Sequence, residues 1–297
     1  MYQATLEKLQ EATINFEKGL NKIFTQQYNP FYYHGAVPNL FMWILFVTGI
    51  LLFAYFQPTL DSAYISVNYI TTKLPFGNII RGLHRYAADG MMIAVVIHAI
   101  RVYFTDRYRK YRWIAWYSGV ALIVCMFIIG ITGYVMVWDE RSYMIVLAMT
   151  DALKQIPIIG LPLAKLFVNG EVITHYTLAM SFFLHVGISF SLLFLLWLHY
   201  VRISRPVTDV PLGLGLLLFS GIMLPAAIYP VLSGKPAVLT QVPHESSRLV
   251  LFMDFPYVLQ HASFNCLDYF IFSNCTFTST SLFSSRQTKI TSCSFIR

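Results

Sequence analysis

WIAWYSGVALIVCMFIIGITGYVMV, residues 113–137, contains no Asp, Glu, Lys or Arg. A charge-free run of this length suits the ~30 Å hydrocarbon core of a membrane, which takes about 20 residues of α-helix to cross. In lipid no water satisfies backbone N–H and C=O groups, so a crossing segment closes its hydrogen bonds within itself, as a helix does. Residues 36–56 are charge-free as well, and 175–201 hold histidines but no Asp, Glu, Lys or Arg. Residues 79–104 are long and apolar with scattered charges, and 210–234 are apolar but broken by Pro and Gly. Composition agrees: of 297 residues 57% are hydrophobic and 12% charged, about half the charge of a soluble domain. The expectation is an all-α integral membrane protein, a four-helix bundle followed by a fifth transmembrane helix.

Residues 4–24 mix Leu6, Leu9, Ile14, Phe16, Leu20 and Ile23 with Glu and Lys at helical spacing, the pattern of an amphipathic helix on a membrane surface. The chain thus divides into a surface helix (1–30), a bundle (31–209), a fifth crossing helix (210–234) and a tail (235–297). The end of the tail is rich in Ser and Thr, without a sustained apolar period. Four cysteines form no C-x-x-C pattern and no C-x-x-C-H haem attachment, and the N-terminus lacks the layout of a cleavable signal. Between the second and third spans stand Arg101, Arg107, Arg109, Lys110 and Arg112 against a single Asp106. The positive-inside rule puts this loop and the N-terminus in the cytoplasm. The net charge of +7 then reflects topology and implies no nucleic-acid partner. Residues 138–174 are too long for a turn, and SYMIVLAMTDALKQI predicts a short interfacial helix pair ending at Pro157 and Gly160.

Two spans hold histidines at one spacing. His84 and His98 are fourteen residues apart, as are His185 and His199. That separation returns to within ~40° of the same helix face after ~21 Å. Both spans run from outside to inside, so His84 comes level with His185 and His98 with His199. Each level offers two imidazoles from opposite sides, the bis-histidine ligation of a flat macrocycle such as haem. The bland alternative is polar histidines bonded within a bundle interior, but four at matching spacing leave too many costly polar groups in lipid. Gly35 and Gly49 in the first span and Gly119 and Gly133 in the third repeat the same period. A residue without a side chain lets a bulky planar ring approach the backbone; helix packing is the other reading of small residues here. Arg81 and Arg85 flank the outer ligand, and Arg101, Arg109 and Arg112 lie at the inner face, where haem propionates need cations; topology alone would also place the inner group.

The segments FGNIIRGLHRYAAD, HAIRVY, SGVALIVCMFIIGITGYVMVWD and IPIIGLPLAKLFVNG resemble, in order, the cytochrome b of quinol-oxidising bc and bf complexes in its short, chloroplast-like form. The resemblance covers roughly residues 1–233, and the Trp138–Asp139 pair belongs to it. It implies a subunit with two b-type haems, the outer of lower potential (His84/His185) and the inner of higher potential (His98/His199). Quinol is then oxidised at the outer face. One electron passes to a Rieske iron–sulfur protein and on to a c-type cytochrome; the other crosses both haems to reduce quinone at the inner face. It also implies a dimer in an energy-transducing membrane, bacterial or archaeal, and a separate subunit resembling the C-terminal half of cytochrome b as a further partner.

The departures are specific. Tyr33 stands where chloroplast-like relatives hold a Cys for an extra haem, so no covalent third haem is expected. Ser204 stands where the bc type has an inner-site His, leaving Arg202 and Asp209 as quinone candidates. No Pro-Glu/Asp-Trp-Tyr motif follows the fifth span, so the outer proton acceptor is unassigned, and residues 143–166 are the candidates for the wall of that pocket. The missing motif keeps open an alternative: a dihaem anchor linking the quinone pool to a non-Rieske partner such as a multihaem cytochrome. A haem-free transporter is the third class considered.

Overall fold

The computed structural model describes residues 2–109, 112–168, 173–203 and 206–240; the readings made for Lys110, Ser204 and the tail past residue 240 lie outside them. Among the described residues the chain is helical, with one isolated β-bridge. In order come α1 (Tyr2–Tyr28), α2 (Ala36–Phe53), α3 (Ala63–Thr72), α4 (Gly77–Phe104), α5 (Trp113–Val135), α6 (Glu140–Lys154), α7 (Gly160–Phe167), α8 (His175–Val201) and α9 (Leu212–Ile228). α2, α4, α5 and α8 are long and apolar enough to cross a membrane, which bears out the all-α membrane architecture. α9 is apolar but has 17 residues, about 26 Å of helix.

The four long helices associate as two pairs. α2 lies along α4 and α5 along α8, the most extensive helix contacts among the described residues. α4 and α5 touch lightly, and α4 and α8, the two histidine-bearing helices, have next to no direct packing. Two close-packed pairs therefore face each other across a slot. α9 braces the outside of α4 at Gly82, where a side chain would meet Ala226 at 3.0 Å; Ala226 is fully buried there.

α1 breaks at Thr25, whose φ of 60° is non-helical. Ile14, Phe16 and Ile23 on α1 are exposed, an apolar face that suits the expected surface helix. Glu17 alone of its charged residues turns in toward α4, where it pairs with Arg101 at 2.5 Å. The other end of the bundle is closed by a clasp. Asp139 caps α6 by accepting from Ser142 N at 3.0 Å and holds Gly234 N at 2.9 Å. Glu140 N donates to Lys235 O and Ala237 N to Trp138 O, so residues 235–237 of the stretch read as tail pair with the α5–α6 turn. Arg81 completes the clasp on Thr71 Oγ1, Val231 O and Ser233 Oγ at 2.6, 2.8 and 3.0 Å.

One helix expectation is corrected. The pair after residue 138 does not end at Gly160: α6 stops at Lys154 and Gly160 opens α7. Pro157 disfavours helix in the residue before it, Ile158 takes a φ of 69°, and Gly160 sits where a Cβ would be 2.1 Å from Leu153 O. Only glycine allows that reversal.

Candidate cofactor site

Across the slot, the ring centres of His84 and His185 are 6.3 Å apart and those of His98 and His199 6.4 Å, with interplanar angles of 55° and 72°. Two imidazoles that share one metal through ring nitrogens stand roughly 6.4 Å apart, centre to centre, given a nitrogen–metal bond of about 2 Å. The four predicted ligands are thus brought together in the predicted pairs. We call the His84/His185 pair the α6 level and the His98/His199 pair the α1 level, from the helix nearest each.

Hydrogen bonds decide which ring nitrogen is left for a ligand. Thr48 Oγ1 lies 2.9 Å from His84 Nδ1, Ser118 Oγ 2.9 Å from His199 Nδ1, and Thr132 Oγ1 3.4 Å from His185 Nδ1. Each hydroxyl spends its one proton on a carbonyl of its own helix: Thr48 on Ile44 O, Ser118 on Ala115 O, Thr132 on Ile128 O. Toward the imidazole it can only accept, so Nδ1 carries the proton and the Nε2 lone pair stays free. His185 Nδ1 also donates to Ile129 O at 2.9 Å. A second partner that fixes the tautomer is the usual support of a metal-ligating histidine.

Each glycine of the fourteen-residue pattern faces one of these rings. A Cβ at Gly35 would lie 3.4 Å from His98 Cε1, at Gly49 3.3 Å from His84 Cε1, at Gly119 3.3 Å from His199 Cε1 and at Gly133 2.9 Å from His185 Cε1. The room that the glycines provide is filled by the four imidazoles. Thr48, Ser118 and Thr132 were not singled out from the sequence, yet a signal was present: each immediately precedes one of these glycines. The fourth such residue is His34, before Gly35, and its Nδ1 lies 2.6 Å from His98 Nδ1.

The cations divide. At the α6 level Arg81 is spent on the clasp, and Arg85 pairs with Asp89 one turn on and stacks on the Tyr134 ring at 4.7 Å. At the α1 level a cavity of about 560 Å³ runs from His98 and His199 to α1, with Glu17, Arg101, Arg107 and Arg112 on its wall. That volume lies within the ~300–1,000 Å³ range of ligand sites. Arg101 is 6% exposed; it binds Glu17 and donates to His34 Nε2, yet its Nε has no protein acceptor. Burial, with His98, Arg101 and Arg107 nearby, lowers the His34 pKa to about 2, so its ring is neutral and able to accept from Arg101. Arg109 pairs with Asp106 at 2.8 Å. Arg202 and Asp209 are exposed and line no part of the cavity.

The donor set limits the kind of metal it could hold. A bare ion needs about four protein ligands, and among the described residues no three of His, Cys, Asp or Glu converge on one point. Two imidazoles per level suit an iron that brings its own equatorial ring, and the gap between α4 and α8 suits that ring. A family model described as Cytochrome b/b6/petB matches residues 20–206. The chain is 32% identical over 214 residues to the cytochrome b6 of Synechococcus sp. (strain JA-3-3Ab), covering 70% of this chain and 97% of that one. It is 33% identical over 186 residues to the cytochrome b6 of Auxenochlorella protothecoides, covering 62% and 86%. A chain of a hyperthermophilic respiratory complex III shares the fold with a TM-score of 0.63 over 78% of this chain and 72% of that one, at 17% identity. With the paired imidazoles, the slot and these relatives in agreement, the chain belongs to the cytochrome b/b6 family.

Proposed function

We propose that the chain is the dihaem redox subunit of a membrane quinol:cytochrome c oxidoreductase of the Rieske/cytochrome b type. The observation that carries this is the pair of metal-spanning histidine distances, 6.3 and 6.4 Å, on two helices that otherwise barely touch. Each b-type haem, when bound, supplies a one-electron Fe(III)/Fe(II) couple. The chain's own residues do the rest. Four imidazoles would clamp the two rings, three hydroxyls set the tautomers of His84, His185 and His199, and the slot between the helix pairs would keep water from the macrocycles. Successive ligands on one helix lie ~21 Å apart along its axis, so the two levels make a path across the membrane.

The α1 level faces the cytoplasm in this reading, because α1 and the basic stretch Arg101–Arg112 lie there. Arg101, with its unsatisfied buried Nε, and Arg112 are the candidates for haem propionates or for the inner quinone. Arg202 and Asp209 would act on quinone only as it arrives from outside the cavity wall. At the α6 level Arg81 and Arg85 would need to leave protein partners to bind a propionate. Residues 143–166 on α6 and α7 flank the outer quinol pocket. A Rieske protein, a c-type cytochrome and a second copy of this chain are the partners implied, in a bacterial or archaeal energy-transducing membrane.

A reduced-minus-oxidised spectrum of the purified protein, with haem extraction, tests the core of this. Two b-type haems per chain are expected; a colourless protein contradicts it. The lack of a Pro-Glu/Asp-Trp-Tyr motif favours a second reading, a dihaem anchor for a non-Rieske partner. Co-purification separates the two, as recovery of a Rieske protein supports the first and of a multihaem cytochrome the second.

A further inference from the structure

We propose that His34 is a positioning residue for the α1-level ligand His98, holding that imidazole through its ring and coupling it to the Glu17–Arg101 ion pair of the surface helix. This rests on the dihaem reading above. Three ligands share one support: a Ser or Thr just before the facing glycine, inside a helix, with its hydroxyl proton committed to a carbonyl of that helix. His98 has another. The residue before Gly35 lies in the turn that precedes α2, where no preceding helical turn supplies a carbonyl to orient a hydroxyl. A longer side chain with its own anchor does the work instead. The His34 ring lies against that of His98, with centres 4.7 Å apart and planes tilted by 34°. The 2.6 Å between the two Nδ1 atoms has room for one shared proton.

The anchor is built from charge. Arg101 only donates, so His34 Nε2 accepts from it, and the other arm of the same guanidinium is held by Glu17 at 2.5 Å. Arg101 and Glu17 are well covered, at 6% and 18% side-chain exposure, and Arg101 also lies over the Phe31 ring at 5.4 Å. A chain of contacts therefore runs from α1 through Glu17, Arg101 and His34 to His98, one turn from the residue that Arg101 itself occupies on α4. With Nε2 accepting from Arg101, the single proton of the neutral His34 ring sits on Nδ1, so His34 donates to His98 Nδ1. A metal bound at His98 Nε2 would displace the proton carried there to water and leave a more electron-donating ligand. His34 thus holds the α1-level haem at a lower midpoint than a Ser or Thr there would. The same contact fixes the plane of the His98 ring, which the low-spin signal of the haem reads.

The test is electron paramagnetic resonance and redox titration of the full-length protein in its native complex. In His34→Ala the signal of the α1-level haem shifts and its midpoint rises, while the α6-level haem is unchanged; His34→Asn, whose amide N–H returns a donor, recovers part of the shift. Thr48→Val is the mirror control and moves only the α6-level haem. If His34→Ala does not accumulate, Glu17→Gln is read in its place, with a smaller shift of the same haem expected. Wild-type signals for two haems that neither His34→Ala nor Glu17→Gln alters overturn this proposal alone. A wild-type protein without two haem signals contradicts the dihaem reading and this proposal with it.

Discussion

At the α6 end, His84 and His185 are held by hydroxyls and a backbone carbonyl, and the cations beside them are committed to the protein. At the α1 end, His98 leans on another side chain, Arg101 keeps an unfilled donor, and a cavity of about 560 Å³ opens beside the ligands. The ligand distances at the two levels differ by 0.1 Å, so the contrast lies in the surroundings. The spacing of the imidazole pairs is fixed by the period of two helices and comes out alike at both ends. The setting of each level is supplied by non-helical chain and by α1, and there the ends are free to diverge. One end is tied shut by the residues after α9; the other opens into the cavity beneath α1.

The largest expected break in this comparison comes from filling a glycine. At Gly133 a Cβ would already press His185 Cε1 at 2.9 Å, whereas at Gly35 the same atom finds His98 at an ordinary 3.4 Å. Gly133→Val is therefore expected to lose the α6-level haem, while Gly35→Ala keeps both; haem content per chain in the purified variants measures it. Asp139→Ala should come next. It removes the α6 cap and the bond to Gly234, a loss of about 1–2 kcal/mol, read as a lower unfolding midpoint with both haems retained. The smallest effect is set by the supporting hydroxyls. Ser118→Ala should shift the midpoint of the α1-level haem and Thr132→Val that of the α6-level haem, each consistent with the loss of a hydrogen bond of about 1 kcal/mol, in a redox titration.

Periodicity made the spans and the ligands legible. Four apolar helices, the two fourteen-residue histidine pairs and the glycines opposite them all follow from one helical repeat, which a sequence displays directly. The supporting residues shared that repeat and were still missed, because Ser and Thr in an apolar helix read as ordinary small residues until the facing imidazole is seen. Arg81 is the opposite case. Its nearness to His84 in sequence suggested a propionate partner, but its guanidinium is taken by Val231 and Ser233, 150 residues on and contacted only through the fold. Asp209 was read from the family resemblance, at the start of the fifth span, with Arg202 as a second candidate; both are exposed and neither lines the cavity. Gly160 likewise looked like a helix stop, and only the close approach of Leu153 O identifies it as a start.

The pairing of ligands across the slot is the claim on which the rest depends, and redox titration of His84→Ala beside His199→Ala tests it most directly. The two variants should each retain one b-type haem, and the retained haems should have different midpoints, because the mutations empty different levels. Loss of the same haem from both would contradict the account.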